Sequence, residues 1–438
     1  MSNASHACVS EYDRAPRHPA GGRNMGSDAR ITAGGRLVLT ATIAVAAASL
    51  GACAVGPPYH RPAPPAVARY TAAPAATTIA PASAAPGAVG GAQALHRGAA
   101  VEPRWWRGFG SADLDRLVTV ALAHNADLAA AQATLQQARF ELKAARGIFY
   151  PQVALGLGAE RTRSSGAASG GFAGPQLYNL YTGQVSISYA PDVFGINRLV
   201  ARDAQARVDI ARDQLDAARL ALAGNVVDTA FNLAALQDEV AALEANVASE
   251  RQVLDLTRTQ FRLGAITESN VLTQESLLAS SQAQLTQLQQ ARDAAHHLLA
   301  TYLGRFPAET AGLRTPALKD LRLPADLPLS LPSTLVRDRP DIRAAEAQLR
   351  AANAEVGEAV ARMYPDLELT GAWGGQSNHA DSLFDPASRL WDLAAGLVAP
   401  LFEGGTLRAQ KDAAEAAYRG VFASYRSTVL GAFRNVAD

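Results

Sequence analysis

Cysteine is nearly absent from this chain of 438 residues: Cys8 and Cys53 are the only two, which excludes a disulfide framework and a cysteine-rich zinc site. Positive charge has no excess, because 40 basic residues stand against 40 acidic ones, and this balance gives nucleic-acid binding no electrostatic support. Charged residues (18%) are scarce beside hydrophobic ones (48%), which excludes a charge-rich disordered chain. Few aromatic residues (6%) beside abundant alanine favour close helix contacts over a bulky globular core.

Catalytic and metal-binding motifs are missing as well. The sequence has no Walker loop, no nucleophile elbow and no HExxH motif. His296 and His297 are neighbours on a predicted helix and would point about 100° apart, which prevents joint binding of a metal. We therefore expect no enzyme, no cofactor and no nucleic-acid partner.

A long apolar run is missing too, since residues 37–50 form an uncharged stretch of only 14 residues. A helix needs about 20 apolar residues to cross a bilayer, whereas a shorter run behind a positive flank is typical of a signal peptide. We predict that signal peptide over residues 25–52. Residues 1–24 do not fit this pattern and precede Met25, so we expect translation to begin at Met25 and residues 1–24 to be a non-native extension.

The apolar run ends in Leu50-Gly51-Ala52-Cys53, which resembles the lipobox of bacterial lipoproteins. This resemblance implies that Cys53 becomes the N-terminal residue and carries lipid that anchors the chain to a bilayer. A short buried helix with a chance cysteine is the alternative. Residues 53–110 are rich in alanine and proline and show neither a helical nor a strand period, which indicates an extended linker.

An internal repeat organises the remainder of the chain. Tyr150-Pro151 recurs as Tyr364-Pro365 at an offset of 214, and Asn225-Val226-Val227-Asp228 matches Asn435-Val436-Ala437-Asp438 at an offset of 210. The difference of four indicates a shorter loop in the second copy. We interpret residues 111–324 and 325–438 as two copies of one supersecondary unit.

Each copy is predicted to begin with a helix, over 111–148 in the first, and to continue as a β-hairpin. Apolar residues there recur at every second position over about ten residues, a length that lets a tilted strand cross a bilayer. A water-facing sheet packed on a helix is the alternative. The alternating sets are Val153, Leu155 and Leu157; Val185, Ile187 and Tyr189; Leu367, Leu369 and Trp373; and Leu393, Leu397 and Leu401. The predicted membrane-interface aromatics are Tyr178, Tyr181, Trp373 and Trp391.

A long helical hairpin follows the first pair of strands, because no proline occurs between Pro191 and Pro307. A helix over 198–262 would extend roughly 100 Å, which no compact domain holds. Apolar residues keep coiled-coil spacing on both sides of Gly264. We therefore predict an antiparallel hairpin with its tip near residues 262–268.

Two β-hairpins supply four strands, and four strands cannot close a barrel. Open sheet edges do not survive in lipid, so several chains have to pool their strands; three chains would supply twelve, enough to leave a lumen lined by residues such as Gln184, Ser186 and Ser188. The same symmetry gathers the long helices into a tube. The alternative is a lipid-anchored coiled-coil periplasmic scaffold without a pore.

Three motifs resemble a known family: the Trp105-Trp106 region that leads to Asp113-Leu114, the segment Cys53–Pro62, and Arg337–Ile342. They are similar to the NodT-type outer-membrane efflux lipoproteins of resistance-nodulation-division systems, relatives of the TolC channel. The resemblance implies an α+β membrane protein of the outer membrane, a homotrimer with a twelve-stranded transmembrane barrel and a periplasmic α-helical barrel. It also implies docking to a periplasmic adaptor and an inner-membrane pump, and passive conduction of drugs or other small molecules.

In this family the hairpin tips read Val-Gly-x-x-Ser/Thr and contact the adaptor. The matching residues are Leu263, Gly264, Ala265, Ile266 and Thr267. Asp438 corresponds to Asp228, so the second helical hairpin, which carries the family's gate, is expected to be missing from a fragment or prematurely terminated form.

Overall fold

A computed structural model describes residues 55–67, 69–72, 77, 92–163, 176–309 and 312–438. The predicted extension, the predicted signal peptide and Cys53 lie outside these residues. Within the described ranges, no helix combines the length and the apolar character that a bilayer crossing needs.

The helix predicted over 111–148 is divided in two at Asn125. The Asn125 side chain accepts a hydrogen bond from Leu128 N at 2.9 Å and caps the second helix, while Ser111 caps the first by accepting from Leu114 N at 3.3 Å. The first copy comprises α1 (Ala112–His124), α2 (Ala126–Ala145), β2 (Gln152–Arg163), β3 (Leu177–Tyr189), α3 (Ile196–Arg262) and α4 (Glu268–Tyr302).

The second copy repeats this order in shorter form. It comprises α5 (Pro332–Asp338), α6 (Pro340–Ala361), β5 (Asp366–Ser377), β6 (Arg389–Val398) and α7 (Thr406–Ala437). Corresponding starts differ by 214 at β2 and β5, by 212 at β3 and β6, and by 210 at α3 and α7. The predicted duplication is therefore present, and the shift accumulates over the whole hairpin rather than in one loop.

Two sheets accompany the helices. The long strands form an antiparallel sheet in the order β2-β3-β5-β6, so β2 and β6 are its edges. The segment predicted to be a linker contains β1 (Ala94–Arg97), which pairs in parallel with β4 (Asp326–Leu329), and a short 3₁₀ helix (Trp105–Phe109). Trp106 of that helix is buried and donates to Asp115 Oδ1 at 2.9 Å, which ties the segment to α1.

Alternation at the end of β6 stops earlier than the sequence predicts. Leu401 was expected to continue the strand, but β6 ends at Val398 and Leu401 is exposed beyond it. Pro400 has no backbone N–H to donate to a ladder, so the pairing cannot extend through it.

The apolar core lies between the helices. Leu114, Val118, Val226, Leu233 and Leu299 are buried where α1, α3 and α4 meet. A second cluster joins Ile342 and Leu349 of α6 to Tyr425 and Val429 of α7.

Candidate transport conduit

The large sheet has one apolar face, which we call the outward face. Residues directly opposite in the register share a face, so the pairing Leu155–Val185–Trp373–Trp391 forms one apolar row across all four strands. Leu157 and Leu393 on this face are 75% and 81% exposed, although both are large and apolar. Exposed apolar patches of this extent need a nonaqueous partner.

The opposite face of the sheet, which we call the lumenal face, carries most of the polar and small residues, with Leu180, Leu390 and Val398 as large apolar exceptions. Ser186 and Ser188 of β3 lie on it, opposite Ala154 and Gln152 of β2, and Gln184 pairs with Gly156. The four strands of the large sheet contain four carboxylates, and the register puts all of them on this face: Glu160, Asp366, Glu368 and Asp392. Polar side chains on one face and apolar ones on the other fit a sheet with water on one side and lipid on the other.

The predicted interface aromatics divide between these faces. Trp373 and Trp391 are direct partners on the outward face, and Tyr181 lies on the same face beside Ala159. Tyr178 is opposite Thr162 on the lumenal face, so the register separates it from the other three aromatics. Three residues separate Tyr178 from Tyr181, and an odd spacing puts two residues of one strand on opposite faces.

Tyr189, which the alternation of β3 predicts, ends that strand on the outward face, at the helix end of the sheet. Three outward-face arginines, in contrast, are absent from the sequence prediction. Arg161, Arg163 and Arg389 lie on the outward face at the other end, where the hairpin loops begin. The sequence alternation could have predicted the face of each arginine, because each one is an even number of positions from the outward-facing apolar residues of its strand.

The helical hairpin has the predicted length and tip. Helix α3 has 67 residues, and α4 begins at Glu268 after a short turn. Gly264 adopts φ 75°, a conformation that glycine tolerates best, and Ala265 N donates to Gln260 O at 2.9 Å to close the turn. Leu263 is 79% exposed at the end of the hairpin. The five predicted tip residues, 263–267, therefore form the turn and lie farthest along the hairpin from the sheet.

A buried polar pair lies in the seam between α3 and α4. Ser281 Oγ donates to Glu250 Oε1 at 2.9 Å, and Asn246 Nδ2 donates to the same oxygen at 3.0 Å. Farther along, Arg258 and Glu275 form an ion pair at 2.8 Å across the two helices. Polar residues in a coiled-coil seam fix the register of the helices, so these pairs set the position of the tip.

The segment 55–62 runs along α6 towards the junction between sheet and helices. Val55 N donates to Phe194 O at 3.2 Å, and Phe194 lies between β3 and α3. Gly56 has φ 116° and packs so closely on Gly357 that a Cβ there would overlap with the Gly357 backbone. Asn353 Nδ2 donates to Pro57 O at 3.1 Å. Val55 is thus held at this junction.

Tyr59 fixes the same segment to the second helical cluster, where it packs beside Tyr418 and Leu335. Burial, and to a lesser extent the nearby Glu346 carboxylate, raises the pKa of Tyr59 to about 12. Arg61 pairs with Glu346 at 2.7 Å. The segment is therefore held by an uncharged, buried phenol and by an ion pair.

A charged network connects α3 with α6 beside this segment. Asp213 is only 4% exposed and contacts Arg343 Nη2 at 2.5 Å, while Asp209 pairs with Arg350 at 3.1 Å. Burial raises the pKa of Asp213, and the charge of Arg343 opposes that rise. The two helices are thus joined by two ion pairs, one with a buried carboxylate (Asp213) and one with a half-buried carboxylate (Asp209).

Taken together, these features define a class of protein. The chain has one open sheet with an apolar and a polar face, as a membrane requires. It also has a helical hairpin far longer than a compact domain. Both features fit a tubular channel better than a catalytic cleft. The fold agrees: the chain superposes on the outer-membrane channel OprN with a TM-score of 0.73 and 28% identity, over 87% of this chain and 81% of that one.

Sequence comparison identifies the family. The family described as outer membrane efflux protein matches residues 117–305 and 331–438. The chain is 34% identical to the pyoverdine export outer membrane protein OpmQ of Pseudomonas putida over 76% of this chain and 71% of that protein. It is 28% identical to nodulation protein T of Rhizobium leguminosarum bv. trifolii, again over 76% of this chain and 71% of that protein. This chain belongs to the outer membrane efflux protein family and is an outer-membrane component of a bacterial efflux pump with the TolC-like channel fold.

Proposed function

We propose that three copies of this chain pool their sheets into a twelve-stranded barrel and their long helices into a periplasmic tube, and that small molecules pass through both without chemical change. The observation that carries this proposal is the separation of polar and apolar residues on a sheet with two open edges, β2 and β6. In lipid, every backbone N–H and C=O on those edges needs a partner. Edge pairing between copies supplies the partners.

The test is a pair of measurements on the detergent-purified protein. We expect an oligomer that resists SDS until it is heated, and discrete conductance steps when it is added to a planar bilayer. A monomer that stays in solution without detergent and conducts nothing would contradict the proposal and favour a lipid-anchored scaffold.

We further propose that the hairpin tip, residues 263–267, docks onto a periplasmic adaptor that connects the channel to an inner-membrane pump. The exposed apolar side chain of Leu263 at the closed end of the hairpin supports this role. In cells with the pump, Leu263→Asp is expected to reduce efflux while the conductance of the purified channel is unchanged. Leu263→Met, which keeps an apolar side chain, is the matched control.

Lipidation of Cys53 is the third part of the proposal. Its support is the position of Val55 at the sheet–helix junction, because a sheet in the membrane brings that junction to the bilayer surface. Two acyl chains on one cysteine are enough for stable anchoring. Metabolic labelling with palmitate should mark the wild type and leave Cys53→Ala unlabelled, and labelling of both would exclude Cys53 as the site.

The three outward-facing aromatics, Tyr181, Trp373 and Trp391, are proposed to contact the interfacial region of the bilayer. Amphipathic rings favour that region, and all three lie on the loop-side half of the outward face. The transported compound is set mainly by the pump in this proposal.

A further inference from the structure

Three arginines lie where the apolar face of the sheet ends. Arg161 and Arg163 are at the end of β2, and Arg389 is the first residue of β6. All three are exposed on the outward face, and none forms an ion pair within the described residues. An arginine at the edge of a hydrocarbon layer can extend its guanidinium to the headgroup level, where lipid phosphates are available as anionic partners.

Charge is separated by sign between the two faces. The four carboxylates of the large sheet lie on the lumenal face, and its three arginines lie on the outward face. Asp381 and Asp385 of the loop between β5 and β6 are the nearby acidic groups in the sequence, and neither pairs with an arginine among the described residues. The outward face is therefore locally cationic at its loop end.

The loop between β5 and β6 adds apolar surface at this end. Leu383 lies against Gly183 and Leu157 on the outward face, and its carbonyl occupies the space that a Cβ on Gly375 would need. Ser377 and Ser382 share a hydrogen bond of 2.7 Å, and Ser388 donates to Ser382 O at 2.7 Å, which fixes the loop. The next residue after Leu383, Phe384, is 82% exposed.

The position of the arginines at the sheet edges has a consequence for the assembly. Arg161 and Arg163 are on β2 and Arg389 is on β6, and these are the two edges that neighbouring copies would pair. Strand partners lie about 5 Å apart, so the arginines of one copy come close to Arg389 of the next. The three guanidinium groups then line a single seam between two copies.

We propose that this seam binds a phosphorylated, multiply acylated lipid of the outer leaflet, with Arg161, Arg163 and Arg389 on the phosphates and with Phe384 and Trp391 against the acyl chains. Guanidinium groups bind phosphate with two parallel hydrogen bonds, and a ligand shared by two copies stabilises their association. The inference rests on the proposed membrane-inserted oligomer and goes beyond it, because it assigns a ligand to the outside of the channel.

The test uses the detergent-purified protein and lipid A with two phosphates, the same lipid after dephosphorylation, and inorganic phosphate alone. The readouts are binding by titration and the temperature at which the oligomer dissociates. We expect binding and a higher dissociation temperature with phosphorylated lipid A only. A neutralised triple variant, R161Q/R163Q/R389Q, should bind about 100-fold more weakly, or about fivefold per arginine. The corresponding lysine variant should retain most of the binding.

The matched control is R251Q/R419Q/R426Q, which neutralises three exposed helix arginines that form no ion pair within the part of the chain that the structure describes. It should bind like the wild type. Equal binding of phosphorylated and dephosphorylated lipid A to the wild type would overturn the inference, and so would unchanged binding by the neutralised triple variant. A conducting oligomer with either result leaves the channel function intact. A wild type that neither oligomerises nor conducts overturns both proposals.

Discussion

The sheet and the helices place their apolar side chains in opposite ways. In the helices Leu233 is fully buried and charged side chains cover the surface, as in a water-soluble protein. In the sheet Leu393 is 81% exposed, and the small polar residues lie on the other face. The same chain thus follows two patterns because its two regions meet two solvents, and a variant in either region reports on the solvent that surrounds it.

The strongest test of this comparison is a pair of neighbours in β3. Val185→Arg puts a charge on the outward face and is expected to abolish membrane insertion, since a guanidinium near the bilayer midplane costs about 2–4 kcal/mol in each copy. Ser186→Arg puts the same charge on the lumenal face and should insert. Heat-modifiable oligomers and conductance are measured for both. Equal insertion of the two variants would show that the faces are not distinguished by lipid.

The next test compares two leucines, one from each region. Leu233→Ala leaves a cavity between packed helices and should lower the free energy of unfolding by about 3 kcal/mol or more. Leu393→Ala should cost about 1–2 kcal/mol, because acyl chains fill the space and only the transfer of the removed methyl groups is lost. Denaturant unfolding in detergent measures both. An equal loss would mean that Leu393 is packed against protein.

A smaller effect is expected in the charged network between α3 and α6. Arg343→Gln removes the charge that opposes the raised pKa of Asp213, so the pKa rises further in the folded state. A carboxyl whose folded pKa is raised contributes stability below its unfolded pKa and loses it as the pH rises through the folded value. The variant should therefore be less stable than the wild type by about 1–2 kcal/mol at neutral pH, and the deficit should shrink in acid.

Thermal unfolding between pH 4 and pH 8 measures this dependence. The double variant D213N/R343Q is the control, because its stability relative to the wild type should change much less with pH near the pKa of Asp213. A deficit of R343Q that stays constant over this range would show that Arg343 contributes packing rather than charge.

The smallest effect concerns two tyrosines of β3. Tyr181→Ala removes an outward-facing interfacial ring and should destabilise the membrane-bound oligomer by about 1 kcal/mol. The expected sign of this loss is a lower dissociation temperature. Tyr178→Ala removes a ring from the lumenal face and should leave that temperature unchanged. A lower dissociation temperature for Tyr178→Ala than for Tyr181→Ala would contradict the register of β2 and β3.

Much of this organisation could be predicted from the sequence because it rests on local periodicity. The offsets of 214 and 210 recur at the starts of β2 and β5 and of α3 and α7, and Gly264 marks the tip as the break in a proline-free stretch. The sheet's two faces follow from alternation, a signal that spans only a few residues. The position of Tyr178 on the lumenal face likewise follows from its odd spacing from Tyr181, which the sequence contains.

Other features have no local pattern. The parallel pair of β1 and β4 joins two four-residue strands that are far apart in the chain, each too short to show alternation. Asp213 and Arg343 meet only because α3 packs against α6, and nothing in either segment reveals a charged partner. The loop that holds Leu383 on Gly183 likewise depends on tertiary structure, since it requires the sheet to form first.

The strand order of the sheet also bears on what determines the number of copies in the assembly. Neighbouring strands of the sheet are antiparallel, so its two edge strands, β2 and β6, run in opposite directions. When β6 of one copy lies beside β2 of the next, these two strands are therefore antiparallel as well. A ring of any number of copies is then antiparallel throughout, without a parallel seam. Stoichiometry is consequently not encoded in the hydrogen-bond ladder, and the angle at which neighbouring α-helices pack has to decide when the circle closes.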